Sequence, residues 1–318
     1  MKSLGSVTLI IVNYRSAKLV GELLESIAQR GAGWVNQVIV VDNASGDGSV
    51  ETLRAKAEEL GIGGWVQVLD AGRNGGFGAG NNCGAAAALK ATLKPDVLWF
   101  LNPDTLVNGV DLSRAIEWFE MDAKVGIVGT GLDDGQGRHD VGAHRHPTPI
   151  SEFVQTGGAF GVLRRWAISD PSLDRPGPVD WVSGASLMMR ASAFEELGGF
   201  DENFFLYFEE VDLCRRVWRA GWKVVYEPRV RVVHLEGQTT GVQQGKPRPR
   251  YWYESRRRYF VKHFGVMGLL AADVAWGMGR VVGTLRRKSG DACRFRDLWK
   301  CDGPVILGRE PLSVRDNS

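Results

Sequence analysis

The sequence has few cysteines, and their spacing fits neither a zinc module nor a disulfide framework. Its 318 residues include four cysteines, at positions 83, 214, 293 and 301, with no Cys-x-x-Cys pair. Small secreted domains and zinc modules depend on closely spaced cysteines. We therefore expect reduced thiols, a cytoplasmic setting, and a fold that is stabilised by an apolar core.

Long apolar runs and internal repeats are also missing. Residues 7–12 are apolar but too few for the core of a signal peptide, and we expect a strand there. The apolar stretch at 264–279 contains Asp273 and falls short of the roughly 20 residues that cross a bilayer. These absences are typical of a globular chain with one large domain or slightly more.

The net charge is small but unevenly distributed. Residues 1–245 carry 23 Lys/Arg against 30 Asp/Glu, a net −7, whereas residues 246–318 carry 16 against 7, a net +9. A basic tail predicts an anionic partner, either a membrane surface or nucleic acid. Basic clusters at 256–258 and 286–288 flank the apolar stretch 264–279, which favours an interfacial helix. A solvated tail, or a helix packed on the body, would show the same pattern.

Strand-like and helix-like segments alternate through the first 130 residues. Buried strands are predicted at residues 7–12, 37–41, 65–69, 97–101 and 125–128. Amphipathic helices lie between them, which predicts an α/β fold with a mainly parallel sheet and a ligand site at the strand carboxyl ends. Residues 131–180 predict a long loop. We favour a solvated loop over a metal site for its three histidines, His139, His144 and His146.

Polar residues follow several of the predicted strands. Asp42 can accept a hydrogen bond from a nucleobase N–H, although turn chemistry alone would also suit it. Asp104 can hold a divalent cation against a diphosphate. The pattern Gly78-x-Gly80-x-x-x-Gly84 follows the third strand, which argues against a dinucleotide fingerprint. It indicates either a loop close to a phosphate or sugar, or glycines that serve helix packing.

Residues 199–216 place aromatic side chains directly before a group of acids. Phe204, Phe205, Tyr207 and Phe208 precede the acids Glu209, Glu210 and Asp212. In a helix Glu209 and Asp212 would share a face, with Glu210 turned about 100° away. Crowded carboxylates raise one another's pKa, as a general base at neutral pH requires. An ordinary helix N-terminus, whose dipole favours acids, would look the same.

Six segments together resemble the inverting family 2 glycosyltransferases of GT-A fold. They are Leu9-Ile-Ile-Val-Asn-Tyr-Arg15, Val40-Val-Asp-Asn-Ala-Ser-Gly-Asp-Gly-Ser49, Asn74-Gly-Gly-Phe-Gly-Ala-Gly-Asn-Asn-Cys-Gly84, Leu101-Asn-Pro-Asp-Thr105, Gly184-Ala-Ser-Leu-Met-Met-Arg190 and Gly198-Gly-Phe-Asp-Glu-Asn-Phe-Phe-Leu-Tyr-Phe-Glu-Glu-Val-Asp212. The Asn-Pro-Asp segment is similar to the bacterial rhamnosyltransferase branch, which builds cell-surface polysaccharide. The likeness covers residues 6–265. It implies a GT-A domain over 1–245, with a nucleotide-sugar half at 1–130 and an acceptor half at 181–245, and a basic helical tail over 246–318.

The resemblance also implies ligands and residue roles. It implies a dTDP- or UDP-sugar donor, a divalent metal (Mg²⁺ or Mn²⁺), and a glycan or polyprenyl-linked acceptor at the inner membrane surface. Glu210 would be the catalytic base, and Asp104 and His234 the metal ligands, although His234 could instead cap a strand end. The expected donor contacts are Asn13, Tyr14, Asp42, Asn74, Gly78, Asn81 and Asn102. The expected acceptor contacts are Asp201, Glu202, Glu209 and Asp212.

Two other functions would use a similar architecture. A sugar-phosphate nucleotidyltransferase normally has a basic, glycine-rich loop after its first strand, and Asn13-Tyr14-Arg15 is not such a loop. A non-catalytic glycan- or membrane-binding relative would lose the base or the metal acid, and both Glu210 and Asp104 are present. Because no nucleic-acid-binding module is recognisable, we expect no nucleic-acid partner. The residues leave the sugar itself open.

Overall fold

The computed structural model describes residues 5–31, 33–158, 161–235, 248–285 and 295–308. Within these ranges the strands are β1 Val7–Asn13, β2 Gln37–Asp42, β3 Val66–Asp70, β4 Val97–Leu101, β5 Thr105–Leu106, β6 Val125–Asp133, β7 His139–Asp140, β8 Ala143–His144, β9 Gly177–Pro178, β10 Trp181–Val182, β11 Ser186–Arg190 and β12 Lys223–His234. The helices are α1 Ala17–Ala28, α2 Ser49–Glu59, α3 Phe77–Lys90, α4 Ser113–Met121, α5 Pro149–Gly157, α6 Ala191–Leu197, α7 Glu209–Arg219, α8 Arg250–Leu285 and α9 Phe295–Ile306. Short 3₁₀ turns occupy Gly161–Trp166 and Pro171–Leu173.

The main sheet has the strand order β3-β2-β1-β4-β11-β6-β12-β5. Strands β1 to β4 pair in parallel, which brings their carboxyl ends to one edge. Strand β11 runs antiparallel to both β4 and β6, and β12 is parallel to β6. The structure thus confirms the predicted α/β class with a largely parallel sheet.

Both faces of the sheet are covered by helices, which explains the continuous apolar runs. Along β1, Leu9 and Ile11 pack in one core with residues of α1, α2 and α4. Ile10, between them, belongs to a second core with residues of α3, α6 and α7. Since successive side chains of a strand point to opposite faces, a strand buried on both sides must be apolar at every position.

Helix α3 lies unusually close to the sheet. A Cβ atom at Gly80 would come within 2.7 Å of the Val12 side chain, and one at Gly84 within 2.6 Å of the Ile10 side chain. Such distances leave no room for a larger residue. These two glycines therefore serve helix–sheet packing, one of the two interpretations that the sequence left open.

Regular structure interrupts the region 131–180, which the sequence predicted to be a loop. Helix α5 begins after Thr148, whose side chain accepts a hydrogen bond from the Ser151 backbone, and Pro149 is its first residue. Proline and a hydroxyl cap are strong starting signals. The helix is short and packs on α8 in the tail, so its stability comes from a distant part of the chain.

The tail packs on the body of the protein. Helix α8 has a kink at Gly265 (φ 71°), and its residues Tyr259, Phe260 and Leu269 form a core cluster with Phe204 and Val211. This arrangement corrects the expectation that residues 256–258 present basic side chains to a membrane. Arg256 is fully buried and Arg257 is 9% exposed. The second predicted basic cluster, 286–288, lies outside the described residues.

Arg256 is enclosed by three carboxylates from three helices. Its guanidinium lies 2.8 Å from Glu152 of α5, 2.8 Å from Asp273 of α8 and 3.2 Å from Asp302 of α9. We call these four residues the Arg256 cage. A buried charge is tolerated only when it is paired, so the cage requires α5, α8 and α9 to pack together.

Candidate active site

A cleft of about 530 Å³ opens at the carboxyl edge of the sheet. Of the residues expected to bind ligands, seven line it: Tyr14, Asn74, Asn102, Asp104, Glu209, Glu210 and His234. They come from five separate segments, which meet because β1, β3 and β4 end at this edge, α7 begins there, and β12 returns beside β5. The structure thus brings these residues together at the edge where the sequence predicts a ligand site, and their binding roles stay predictions.

Asp104, His234 and Asn102 converge at one corner of the cleft. His234 Nε2 lies 3.3 Å from Asp104 Oδ1 and 3.4 Å from Asn102 Nδ2. Strand β12 sets this geometry, because His234 pairs with Thr105 of β5 directly after Asp104. Carboxylate, imidazole and amide groups this close are a donor set that suits Mn²⁺. Among the described residues no three His, Cys, Asp or Glu side chains are arranged to hold a metal ion, so the amide oxygen of Asn102 would have to be the third ligand.

Glu209 and Glu210 begin helix α7 and face the cleft together. In the described part of the chain, one carboxylate oxygen of each is buried without a hydrogen-bond partner. Burial raises the pKa of Glu210 to about 7. Burial, and then the charge of Glu210, raise the pKa of Glu209 well above its usual value. One carboxylate of the pair can therefore take up a proton near neutral pH.

Backbone strain is concentrated around the cleft. Four non-glycine residues have a positive φ in the described chain: Arg15, Ala44, Tyr207 and Phe208. The first two follow β1 and β2, and the other two directly precede Glu209. A bulky residue in the left-handed region costs about 1–3 kcal/mol and persists only where the surroundings enforce it. Here it orients the first turn of α7.

Asp42 and Asn13 lie beneath the cleft floor. Asp42 Oδ1 accepts hydrogen bonds from Asn13 Nδ2 (2.6 Å) and Ser45 Oγ (2.6 Å), and its Oδ2 accepts one from the Ser45 backbone N–H (2.8 Å). Asn13 also accepts a hydrogen bond from the Ser16 backbone. This buried network fixes the loop on which Tyr14 reaches the cleft, where its side chain is 44% exposed.

Like Asn13 and Asp42, two further expected donor contacts, Gly78 and Asn81, do not line the cleft. Gly78 packs against Phe200, because a Cβ atom added at Gly78 would lie 3.0 Å from the Cβ atom of Phe200. Asn81 Nδ2 donates a hydrogen bond to the Phe77 carbonyl. Asn43, for which no ligand contact was predicted, does line it and donates through Nδ2 to the Gly76 carbonyl (2.9 Å). Nothing in the local sequence distinguished these positions.

The four expected acceptor residues are not brought together. Glu209 lines the cleft, whereas Glu202 pairs with Arg73 (2.8 Å) in a separate groove and Asp201 pairs with Lys262 (2.7 Å). Asp212 is fully buried; the nitrogens of Arg216, Lys262 and His263 lie 2.7–2.9 Å from its carboxylate. Asp212 would have to break these pairs to meet a substrate, so the structure differs from the expectation of one four-residue site.

The aromatic residues around Glu209 also separate into two groups. Phe204 is fully buried in the core, but Phe205 and Tyr207 line the cleft. Tyr251 of α8 joins them, stacked on Tyr207 with ring centroids 6.1 Å apart. Tyr251 was not among the predicted site residues, because its place in a basic tail does not show which part of the body its side chain reaches.

The chain matches a model described as glycosyltransferase like family 2 over residues 5–258. It is 29% identical to the N-acetylglucosaminyl-diphospho-decaprenol L-rhamnosyltransferase of Mycobacterium tuberculosis over 64% of this chain and 68% of the relative. It is 31% identical to the rhamnosyltransferase WbbL of Escherichia coli over 50% of this chain and 60% of that protein. The hexosyltransferase Agl10 of low-salt glycan biosynthesis in Haloferax volcanii is 29% identical over 73% of this chain and 67% of that protein.

Solved structures with the same fold support this placement. The mannosyltransferase PcManGT from Pyrobaculum calidifontis, in complex with GDP-Man and Mn²⁺, aligns over 95% of this chain and 80% of its own, with a TM-score of 0.57 and 17% identity. The structure of GalNAc-T7 with UDP, GalNAc and Mn²⁺ aligns over 98% of this chain and 59% of its own, with a TM-score of 0.58 and 15% identity. With its GT-A fold and its rhamnosyltransferase relatives, the chain belongs to the family 2 glycosyltransferases, which transfer a sugar from a nucleotide-sugar donor.

Proposed function

We propose that the protein transfers a sugar, rhamnose by its likeness to the M. tuberculosis and E. coli enzymes, from a dTDP- or UDP-sugar to a glycan on a polyprenyl-linked acceptor. The observation that carries this proposal is the Glu209–Glu210 pair, in which each carboxylate has one buried oxygen with no hydrogen-bond partner among the described residues, in the same cleft as Asp104 and His234. One end of the cleft thus offers a base, and another offers ligands for a cation beside a diphosphate.

Glu210 acts as the general base. As the acceptor hydroxyl oxygen attacks the anomeric carbon, its proton passes to the Glu210 carboxylate and the bond from that carbon to the diphosphate breaks. Attack from the face opposite the leaving group inverts the anomeric configuration. A pKa near 7 leaves about half of the enzyme in the reactive, deprotonated form at neutral pH. Such a base contributes about 10²–10⁴-fold to the rate.

Asp104, His234 and Asn102 would hold a divalent metal. The bound metal would neutralise negative charge that develops on the departing diphosphate. The three side chains fit this role because His234 Nε2 lies 3.3 Å from Asp104 Oδ1 and 3.4 Å from the amide of Asn102, whose oxygen can also serve as a ligand. Because these three ligands include only one carboxylate, we expect them to bind the metal more weakly than a site with two acidic ligands would.

The nucleoside lies against the loops that follow β1, β2 and β3. Tyr14 packs along the base, and Asp42, through Asn13 and Ser45, sets the shape of this pocket. Asn43 and Asn74 offer amides at the cleft wall. On the acceptor side, Tyr207 and Tyr251 supply an aromatic surface for a sugar ring, and Glu209 is within reach of its hydroxyls. A polyprenyl-linked acceptor would place the enzyme on the cytoplasmic face of the membrane.

A donor screen tests this function. Thermal-shift measurements with UDP-, GDP- and dTDP-sugars, with and without Mn²⁺, should show stabilisation by one nucleotide class, larger with the metal, because a ligand bound only to the folded state raises its melting temperature. Release of the nucleoside diphosphate with an acceptor present measures transfer. Asp104→Ala should abolish the metal-dependent part of the shift, and His234→Ala should reduce it less. Full activity in EDTA would exclude the metal role.

A further inference from the structure

The second half of α8 presents an uncharged apolar face to solvent. From the kink at Gly265 to Leu285 the helix runs for about 30 Å. Its outward positions recur every three or four residues, and we call them the outer stripe: Met267, Ala271, Val274, Met278, Val281 and Leu285. Met267 is 75% exposed and Leu285 79%. This helix is long and apolar enough to cross a membrane, and less than a third of its apolar stretch is buried.

The opposite face of the same helix is fixed to the body. Asp273 pairs with Arg256 in the Arg256 cage, and Thr156 Oγ1 of α5 donates to the Trp276 carbonyl (3.0 Å). Gly279 and Gly283 touch the α5 backbone so closely that a Cβ atom at either position would clash with it. Since Trp276 and the stripe lie about 180° apart around the helix, these contacts hold the outer stripe toward solvent.

The outer stripe lacks the charges that a solvated helix normally carries. Between residues 266 and 285, all within the described chain, the sequence has two charged residues. Asp273 is buried, and the Arg280 guanidinium lies over the Trp276 ring, 5.0 Å from its centroid. A contiguous exposed apolar surface of this length is uncommon on soluble monomers and indicates an interaction site.

We infer that the outer stripe rests on an anionic lipid bilayer, with the helix lying in the plane of the interface. Charge favours this occupant: the tail carries +9, which attracts anionic headgroups and repels a second copy of the same tail. Spanning would require α8 to leave α5 and break the pair between Asp273 and Arg256. The inference rests on the proposed function in one respect, because a polyprenyl-linked acceptor supplies the reason for docking.

The same helix connects this surface with the active site. Tyr251, in the first turn of α8, lines the cleft, and about 20 Å of helix separates it from the kink where the outer stripe begins. A bilayer held against the stripe would therefore lie within reach of a lipid-linked glycan whose sugar enters the cleft beside Tyr251.

Vesicle sedimentation of the full chain tests the inference. The probe is a vesicle of about 30% phosphatidylglycerol in phosphatidylcholine, with pure phosphatidylcholine for comparison. Val274→Glu/Met278→Glu should reduce the bound fraction on anionic vesicles at least about tenfold, because two charges enter the apolar contact. The matched control is Leu93→Glu/Met121→Glu, which adds the same charge at apolar positions that are 88% and 71% exposed elsewhere. It should bind nearly as the parent protein does.

Two further measurements keep the outcomes distinct. Transfer to a short, water-soluble acceptor should be equal in the stripe variant and the parent, so a parent without transferase activity would contradict the proposed function and not the docking surface. Light scattering after gel filtration reports self-association. Equal sedimentation of the stripe variant and the parent would overturn the inference. So would a parent dimer that the stripe variant dissociates while neither binds vesicles, since the face would then be a subunit interface.

Discussion

The protein buries two groups of carboxylates, and they differ in what surrounds them. Glu152, Asp273 and Asp302 enclose Arg256 at distances of 2.8–3.2 Å. Glu209 and Glu210 face the cleft, and the described chain gives neither an ion pair. The first group links α5, α8 and α9, whereas the second forms the start of α7, at the proposed catalytic centre.

A raised pKa does not by itself separate these groups. Burial, and then the charge of Asp273, raise the pKa of Asp302 to about 7, the same value to which burial raises the pKa of Glu210 against two backbone hydrogen bonds. The difference lies in access and compensation: Asp302 is fully buried beside a guanidinium, and Glu210 lines an open cleft. In this protein, an uncompensated carboxylate that a substrate can reach is the better indicator of chemistry.

The largest effect is expected when the cation of the Arg256 cage is removed. Arg256→Met leaves three buried carboxylates without a cation, which should cost about 3–5 kcal/mol of unfolding free energy, measured by urea denaturation. Arg250→Met is the matched control: its side chain is 90% exposed in an i,i+4 pair with Glu254, and its loss should cost about 0.5 kcal/mol or less. Equal stability of the two variants would show that the cage does not hold the tail.

The complementary change removes the proposed base. Glu210→Gln should reduce kcat at least about 100-fold, or about 2.7 kcal/mol of transition-state stabilisation, because the amide cannot accept the proton. The donor dissociation constant should be nearly unchanged. Glu209→Gln is the adjacent control. If that variant loses activity while Glu210→Gln keeps it, the base is Glu209.

Asp42 extends the comparison to a buried carboxylate that is held by neutral donors. Asp42→Ala removes the acceptor for Asn13 and Ser45, and should weaken binding of the nucleotide-sugar by about 1–3 kcal/mol, measured by calorimetry. Asp47→Ala, an exposed acid in the same loop, should leave the affinity within error. If the dissociation constant of the nucleotide-sugar is unchanged in Asp42→Ala, Asp42 serves only to stabilise the turn that follows β2.

The pH dependence gives the smallest but most selective effect. Activity should rise with pH and level off above about 7, since the base must be deprotonated. Stability should change in the opposite direction. The folded protein holds protons on Glu210 and Asp302 that the unfolded chain releases near pH 4, so unfolding free energy should fall from about pH 4 to 7. In the Glu210→Gln variant part of this decline in unfolding free energy should disappear. A parent protein whose stability does not change between pH 4 and 7 would contradict the raised pKa values of Glu210 and Asp302.

Asp212 limits stability at the acidic end. Burial alone would raise its pKa, but the hydrogen bond from His263 and the charges of Arg216 and Lys262 outweigh it and hold the pKa far below its usual range. Its contribution is present above the unfolded pKa near 4 and is lost only as the pH falls well below it. These ion pairs of Asp212 were not predicted, because Lys262 and His263 lie about 50 residues farther along the chain.

Much of the fold follows from local sequence. The apolar runs of β1, β2 and β4 could only be strands buried on both faces, and their polar ends had to meet at one edge because the strands are parallel. Asp104 was therefore predicted as a site residue from its position after β4, whereas Asn102 was predicted from the family resemblance. Helix α5 was missed because a nine-residue helix depends on its partner, α8, which lies about 100 residues away.

The sequence by itself determined the α/β architecture, the edge that carries the site, and the group of acids at Glu209 and Glu210. Their kinds and spacing are local properties, and a resemblance in six short segments was enough to identify them. Only the tertiary structure decided which acids face the open cleft and which face cationic side chains. It placed Arg256 in the interior, Asp212 in an ion network and Tyr251 at the cleft. Charge and hydropathy describe a side chain but not its neighbours, and burial and pairing depend on contacts between residues far apart in the chain.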